Sequence, residues 1–124
     1  MPEWWSTMDP KSPKLLDDIA DACGFIVEIT SNRTEAQYAS DRLRSQSVER
    51  NFEILGEALR CLERTDDPTT AARISGYRAV IGLQNRLVHG YIDIDDVRVW
   101  EIDRHYLPVL RREVLVSLAE ADRG

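Results

Sequence analysis

The sequence is short of the residue types from which most catalytic centres are built. Among its 124 residues are two histidines, His89 and His105, two cysteines, Cys23 and Cys61, and two lysines, Lys11 and Lys14. Two histidines fall short of the usual ligand set of a catalytic zinc site, so no metal and no other cofactor is expected. Cys23 and Cys61 form no metal or redox spacing; both fall at core-like positions and read as buried thiols of a cytoplasmic protein. No apolar run approaches the roughly 18 residues of a membrane span, which excludes an integral membrane protein. The opening Met-Pro-Glu-Trp-Trp carries an acid and no basic stretch, so no secretory signal is expected. Strand-period alternation and hairpin turns are missing as well. So is any excess of positive charge: the formal net charge is -6. That balance argues against DNA binding over the whole surface and confines any nucleic-acid contact to a local patch. With lysine so scarce, the positive charge is almost all arginine. Arginine is the better planar phosphate fork, and the same bias follows from a GC-rich genome.

What is present is helical periodicity. The length suits one domain with one core, and 43% hydrophobic with 31% charged residues is ordinary for a globular chain. Ser12-Pro13 is a helix start, after which Leu15, Ile19, Ala22, Ile26 and Ile29 recur on one stripe. Ser31-Asn32 breaks it, and Thr34-Glu35 opens a short turn, either a helix of its own or the beginning of the next one. A second long helix is expected from about Asp41 to Glu63, with Val48, Phe52, Leu55, Leu59 and Leu62 as its stripe. Gly56 inside it costs about 1 kcal/mol relative to alanine and suggests close helix packing. A third is expected from about Thr69 to Val88, with Ile74, Tyr77, Ile81, Gln84 and Val88 on one face. A fourth follows the Asp95-Asp96 cap, carries Val99, Ile102, Tyr106, Leu110, Val114 and Leu118, and is expected to kink at Pro108. The expected fold is therefore all-α: an antiparallel up-and-down four-helix bundle with room for an extra short helix. Residues 1–11, with Trp4 and Trp5, form an arm that docks on its own chain or on a neighbouring protomer; residues 12–124 form the single helical domain.

The chemistry concentrates at the end of the third helix, in Gln-Asn-Arg-Leu-Val-His-Gly-Tyr, residues 84–91. Asn85 and His89 are four apart and Arg86 is three before His89, so these side chains share a face. Gly90 ends the helix and Tyr91 follows on the turn. A helix C-terminus favours a protonated imidazole, and a histidine that titrates near neutral pH moves protons in catalysis. An adjacent arginine holds a phosphate and steadies charge on a phosphorane. This is the minimum set for metal-independent RNA cleavage: a base for the 2′-hydroxyl proton, an acid for the leaving 5′-oxygen, and a cation. One histidine supplies one proton-transfer role; a twofold dimer with two copies of His89 in one cleft supplies both. A plainer reading stands beside it. His89 then only caps free carbonyls, Arg86 pairs with Asp93 or Asp95, and Tyr91 packs. Arg42, Arg44 and Arg50 flank an RNA groove or form a solvated face. Glu57 pairs with an arginine near the cleft or fixes helix packing as a buried ion pair. His105 reads as a surface or interior histidine rather than a catalyst.

Several motifs in order resemble one family. Asn85, Leu87, Val88, His89, Tyr91 and the following Ile92-Asp93-Ile94-Asp95 match the R-N-x-L-V-H-x-Y motif of HEPN-domain toxins of the HepT-like group. Upstream, Ser47-Val48-Glu49-Arg50 and Ile54-Leu55-Gly56-Glu57-Ala58 resemble its A-V-E-R and I-I-G-E-A helix. Downstream, Val99-Trp100 and Leu107-Pro108-Val109-Leu110 resemble its V-W and L-P-x-L helix. The resemblance implies an endoribonuclease toxin acting on RNA as a homodimer. It also implies a cognate minimal nucleotidyltransferase antitoxin that transfers adenylate groups to Tyr91, where a bulky anion repels RNA. On this reading His89, Arg86, Asn85 and Gln84 form the catalytic set. One position departs from the pattern. The family's arginine immediately before the asparagine is Gln84 here, which hydrogen-bonds but carries no charge. Arg86 stands two residues on, about 200° further round an ideal helix, and Arg78 is a poorer substitute. The departure leaves an alternative: a catalytically impaired HEPN interaction module that binds a nucleotidyltransferase or a nucleotide.

Overall fold

The computed structural model describes residues 12–65, 74–89 and 96–123. They form six helices: α1 (Ser12–Thr30), α2 (Glu35–Ser40), α3 (Arg42–Thr65), α4 (Tyr77–His89), α5 (Asp96–His105) and α6 (Leu107–Arg123). No strand occurs among the described residues, and the chain is an all-α bundle as its periodicity predicts. None of the described helices is long and apolar enough to cross a membrane. The expected arm, residues 1–11, lies outside the described residues.

The core follows from the two long stripes. On α1, Leu16, Ile19, Ala22, Cys23 and Ile26 are buried, and they meet Val48, Phe52, Leu55, Leu59 and Leu62 of α3 in one cluster. Each fully buried large apolar side chain contributes about 1.5–3 kcal/mol. α3 lies at the centre, packing against α1 and α4, while α6 covers the other flank of α1 and α5 folds against α6. Leu15 and Ile29, at the edges of the α1 stripe, are half-buried.

The elements end where polar side chains replace the helical ladder. At the end of α1 the Thr30 hydroxyl donates to the Ile26 carbonyl at 2.8 Å, and Asn32 takes a left-handed φ of 61°. Thr34-Glu35 does start a separate helix, α2. The Thr34 hydroxyl accepts from the Gln37 N–H and the Gln37 side chain accepts from the Thr34 N–H, a capping box worth about 1 kcal/mol. Asp41 then caps α3, accepting from the Arg44 N–H at 3.1 Å; that bond and the Arg44 guanidinium hold its carboxyl below the usual range. Arg104 of α5 closes the α1 end from outside. It donates to the carbonyls of Thr30 at 2.6 Å and Arg33 at 3.1 Å, with its guanidinium 4.2 Å from the Trp100 ring centroid.

Several sequence expectations are corrected. The third helix begins at Tyr77, not near Thr69, because Ser75 and Gly76 form a turn. Gly76 has φ 76°, and a Cβ there would fall 2.4 Å from the Tyr106 ring. Ser75 is held by Glu113 of α6, which accepts from its N–H at 3.0 Å and its hydroxyl at 3.3 Å. The buried face of α4 is Val80, Leu83, Gln84 and Leu87, whereas Val88 is exposed and Tyr77 and Ile81 are half-buried. Ile74 and Gln84 are buried as their spacing predicts, while the rest of the face is shifted by one residue, to Val80, Leu83 and Leu87. The last helix is two helices, separated at Tyr106. Pro108 stands in the first turn of α6, where its missing N–H removes no ladder bond. Leu107 is buried in place of the expected Tyr106, which is exposed. Cys23 is buried, and burial pushes its thiol up to about 12. Cys61 is only half-buried, its Sγ 3.6 Å from both Glu57 Oε1 and Arg64 Nη2.

Candidate functional site

The site grows out of a glycine. A Cβ on Gly56 of α3 would stand 2.3 Å from Gln84 Cβ and 2.6 Å from Gln84 Cγ, so only glycine lets α4 lie this close. The close packing expected from Gly56 is thus present, and Gln84 is what fills it. Gln84 is 6% exposed, with its amide confined against α3. Arg60, one turn beyond Gly56, meets that amide. Its Nη2 donates to Gln84 Oε1 at 2.8 Å and also to Asn85 Oδ1. One guanidinium nitrogen therefore holds the side-chain oxygens of two successive residues of α4.

Acidic and basic groups continue along α3. Glu57 Oε2 stands 3.8 Å from Arg60 Nη1, and its Oε1 stands 3.6 Å from Arg64 Nη2. Of the two roles expected for Glu57, the pairing with an arginine is the one observed; the side chain is exposed, not a buried ion pair. Such exposed pairs contribute about 0–1 kcal/mol each.

The four predicted site residues divide into two groups. Gln84 and Asn85 are gripped by Arg60. Arg86 and His89 project from the last turns of α4 as exposed side chains. His89 lies about 6 Å along the helix from Asn85 and about 40° around it, so it shares the Asn85 face. Arg86 is about 60° to the other side of His89 and points well away from Gln84. Tyr91 lies outside the described residues, as do Gly90, Asp93 and Asp95. Arg78 lies over the Tyr77 ring, 5.6 Å from its centroid, at the far end of α4, about 16 Å along the axis from His89. Arg44 is occupied by Asp41 and the Ile29 carbonyl, and Arg50 pairs with Glu53 at 3.2 Å. His105 is exposed at the end of α5.

Arg60 is the residue that sequence reasoning missed. A signal for it exists: it lies four residues after Gly56, on the face that the glycine marks as a close helix contact. Its partners are 24 and 25 residues away along the chain, beyond what helical spacing can show. Chemically, the arrangement places a half-buried cation, two amides and an exposed imidazole at one helix end. The amides that hold the guanidinium are neutral, and its one carboxylate contact among the described residues is the exposed Glu57 at 3.8 Å, which an incoming anion can displace.

Comparisons with known proteins agree with the family resemblance of the sequence motifs. A family model described as "Ribonuclease HepT-like" matches residues 19–116. Two curated relatives each carry the name "Putative RNase". One, from Methanocaldococcus jannaschii, is 28% identical over 102 residues, covering 80% of this chain and 89% of its own. The other, from Caldanaerobacter subterraneus subsp. tengcongensis, is 23% identical over 105 residues, covering 84% and 92%. No solved structure gives a significant match to the chain.

Proposed function

This chain belongs to the HepT-like ribonuclease family, and from that premise we propose that it is a metal-independent endoribonuclease whose cleavage site is the end of α4. The observation that carries this reading is the gathering of Asn85, Arg86 and His89 there, with Arg60 reaching across from α3. In the proposed reaction a base removes the proton of the 2′-hydroxyl and the 2′-oxygen attacks phosphorus. The bond to the 5′-oxygen breaks, and an acid protonates that oxygen. The products are a 2′,3′-cyclic phosphate and a 5′-hydroxyl. His89 takes one of the two proton transfers, and its copy in a twofold partner takes the other. Arg86, Asn85 and Gln84 hold the scissile phosphate. The chain is the toxin of a type VII-like toxin–antitoxin pair. A nucleotidyltransferase silences it by adenylylating Tyr91, which adds negative charge beside the RNA path.

The test is cleavage of RNA by purified protein in EDTA. His89→Ala should lower the rate about 100- to 10,000-fold, the usual worth of a proton-transfer group. Equal cleavage by both proteins removes the proposal. For Tyr91, incubation with ATP, magnesium and the adjacent-gene transferase should add multiples of an AMP mass. An unchanged mass with a transferase shown to be active removes the modification.

A second reading is favoured by Gln84, which carries no charge where the family pattern has arginine. Here the chain is an impaired interaction module that binds the nucleotidyltransferase or a nucleotide. It predicts no cleavage by the native chain and a gain of cleavage in Gln84→Arg.

A further inference from the structure

We propose that Arg60 is the phosphate-binding residue of this site, positioned by Gln84 and Asn85, and that the buried Gln84 does not itself contact RNA. The inference rests on the ribonuclease reading for the identity of the anion, an RNA backbone phosphodiester, and it reassigns the residues that hold it. Three observations carry it.

Gln84 is 6% exposed and its amide oxygen is taken by Arg60, so this side chain does not face a ligand arriving from solvent. Arg60 is hydrogen-bonded from one side only, and on the other it meets Glu57 as a loose, exposed ion pair. Both acceptors of Nη2 lie on α4, which leaves the Nη1 and Nε edge of the fork, where Glu57 Oε2 stands at 3.8 Å, beyond hydrogen-bond length. The Arg60 side chain is 30% exposed, partly withdrawn from water yet still reached from solvent. That combination suits a fork-shaped contact with two phosphate oxygens.

The direction is also right. Asn85 sits between Arg60 and His89: it accepts from Arg60, and His89 follows on the next turn of the same face. A phosphate that displaces Glu57 from the Nη1 edge of Arg60 therefore lies beside the turn that presents His89. Arg86 stands about 200° from Gln84 around α4 and does not reach that edge. The charge missing from position 84 is supplied by α3, and Gly56 is what brings α4 close enough to receive it. In a chain of net charge -6, a cation fixed at one helix seam gives RNA a local place to bind.

The experiment measures binding of a short 2′-O-methyl RNA oligonucleotide, which has no 2′-hydroxyl to attack, across a salt series, with thermal melting of each protein. Arg60→Gln keeps an N–H donor for Gln84 and removes the charge; Arg60→Lys keeps the charge. Arg60→Gln should bind about tenfold more weakly, with the log–log salt slope reduced by about 0.7. Arg60→Lys should retain most of the affinity, and Arg60→Ala combined with Gln84→Arg should recover it. Arg112→Ala, on α6, controls for net charge and should change binding less than about twofold. Equal binding by the Gln and Lys variants, or an unchanged salt slope in Arg60→Gln, overturns the proposal. The outcomes separate it from the ribonuclease reading. Wild-type binding that Arg60→Gln weakens, without any RNA cleavage, removes the nuclease and leaves the phosphate site. Cleavage that depends on His89 but not on Arg60 removes the phosphate site and leaves the nuclease. Absence of oligonucleotide binding by the wild-type chain removes both.

Discussion

Two arginines tie neighbouring helices together, and they use different acceptors. Arg104 reaches from α5 to the main-chain carbonyls of Thr30 and Arg33, with Trp100 beneath its guanidinium. Arg60 reaches from α3 to the side-chain amides of Gln84 and Asn85. A main-chain carbonyl at a helix end has a fixed direction and no partner in the helical ladder; that of Thr30 is otherwise met only by the Arg33 N–H at 3.3 Å among the described residues, so Arg104 completes the fold. Side-chain amides lie outside the helical ladder, so losing the bonds to Arg60 leaves the backbone of α4 intact. The lesson is that a bridging arginine is a staple or a working group according to what accepts from it.

The sharpest way to break this contrast is at Gly56. A methyl group there collides with Gln84 and forces α4 away from α3. Gly56→Ala should cost about 1–3 kcal/mol of stability, measured by denaturant unfolding, and should remove RNA binding with it. Wild-type stability in that variant would mean that the seam is loose and Arg60 is not held. Next in size, Arg104→Ala should cost about 2 kcal/mol, the range for hydrogen bonds to a charged donor, and leave the RNA affinity of the folded protein unchanged. Arg60→Ala should show the reverse balance, about 1 kcal/mol of stability and a larger loss in binding. Equal stability losses in the two variants would erase the distinction.

The smallest effect concerns pH and belongs to the Arg104 side alone. Asp103 is 3% exposed, and its Oδ2 has no hydrogen-bond partner among the described residues. Burial pushes its carboxyl up, against the opposing pull of Thr30 and Arg104. The charged form is therefore the costly one in the folded state. That cost is present at neutral pH and is relieved as pH falls through the raised folded value. Asp103→Asn should raise the melting temperature by a few degrees at neutral pH, with the gain shrinking in acid. A gain that is flat with pH would show that the carboxyl is not the cause.

The apolar stripes of α1 and α3 were legible because period and burial coincide, from Ile19 and Ile26 to Phe52 and Leu59. The α4 face is shifted by one residue from its expected stripe, except at Gln84, which is buried as its spacing predicts. Gln84 is buried for a hydrogen bond, and Val88, apolar and in register, is exposed at the helix end. The break at Tyr106 was misplaced because Pro108 marks the first turn of a new helix as readily as a kink in an old one. At the site, spacing on one helix gathered Asn85, Arg86 and His89, but the cation from α3 depends on how two helices meet, which periodicity does not encode.

The contact between Gly56 and Gln84 also sets what the end of α4 can do when something binds. It is a pivot. His89 lies five residues beyond it, about 7.5 Å along the helix axis. A tilt of about 10° at the seam therefore carries the imidazole only about 1 Å. Mechanical leverage on the end of α4 is short by construction, so tilting at the seam leaves the position of His89 nearly unchanged.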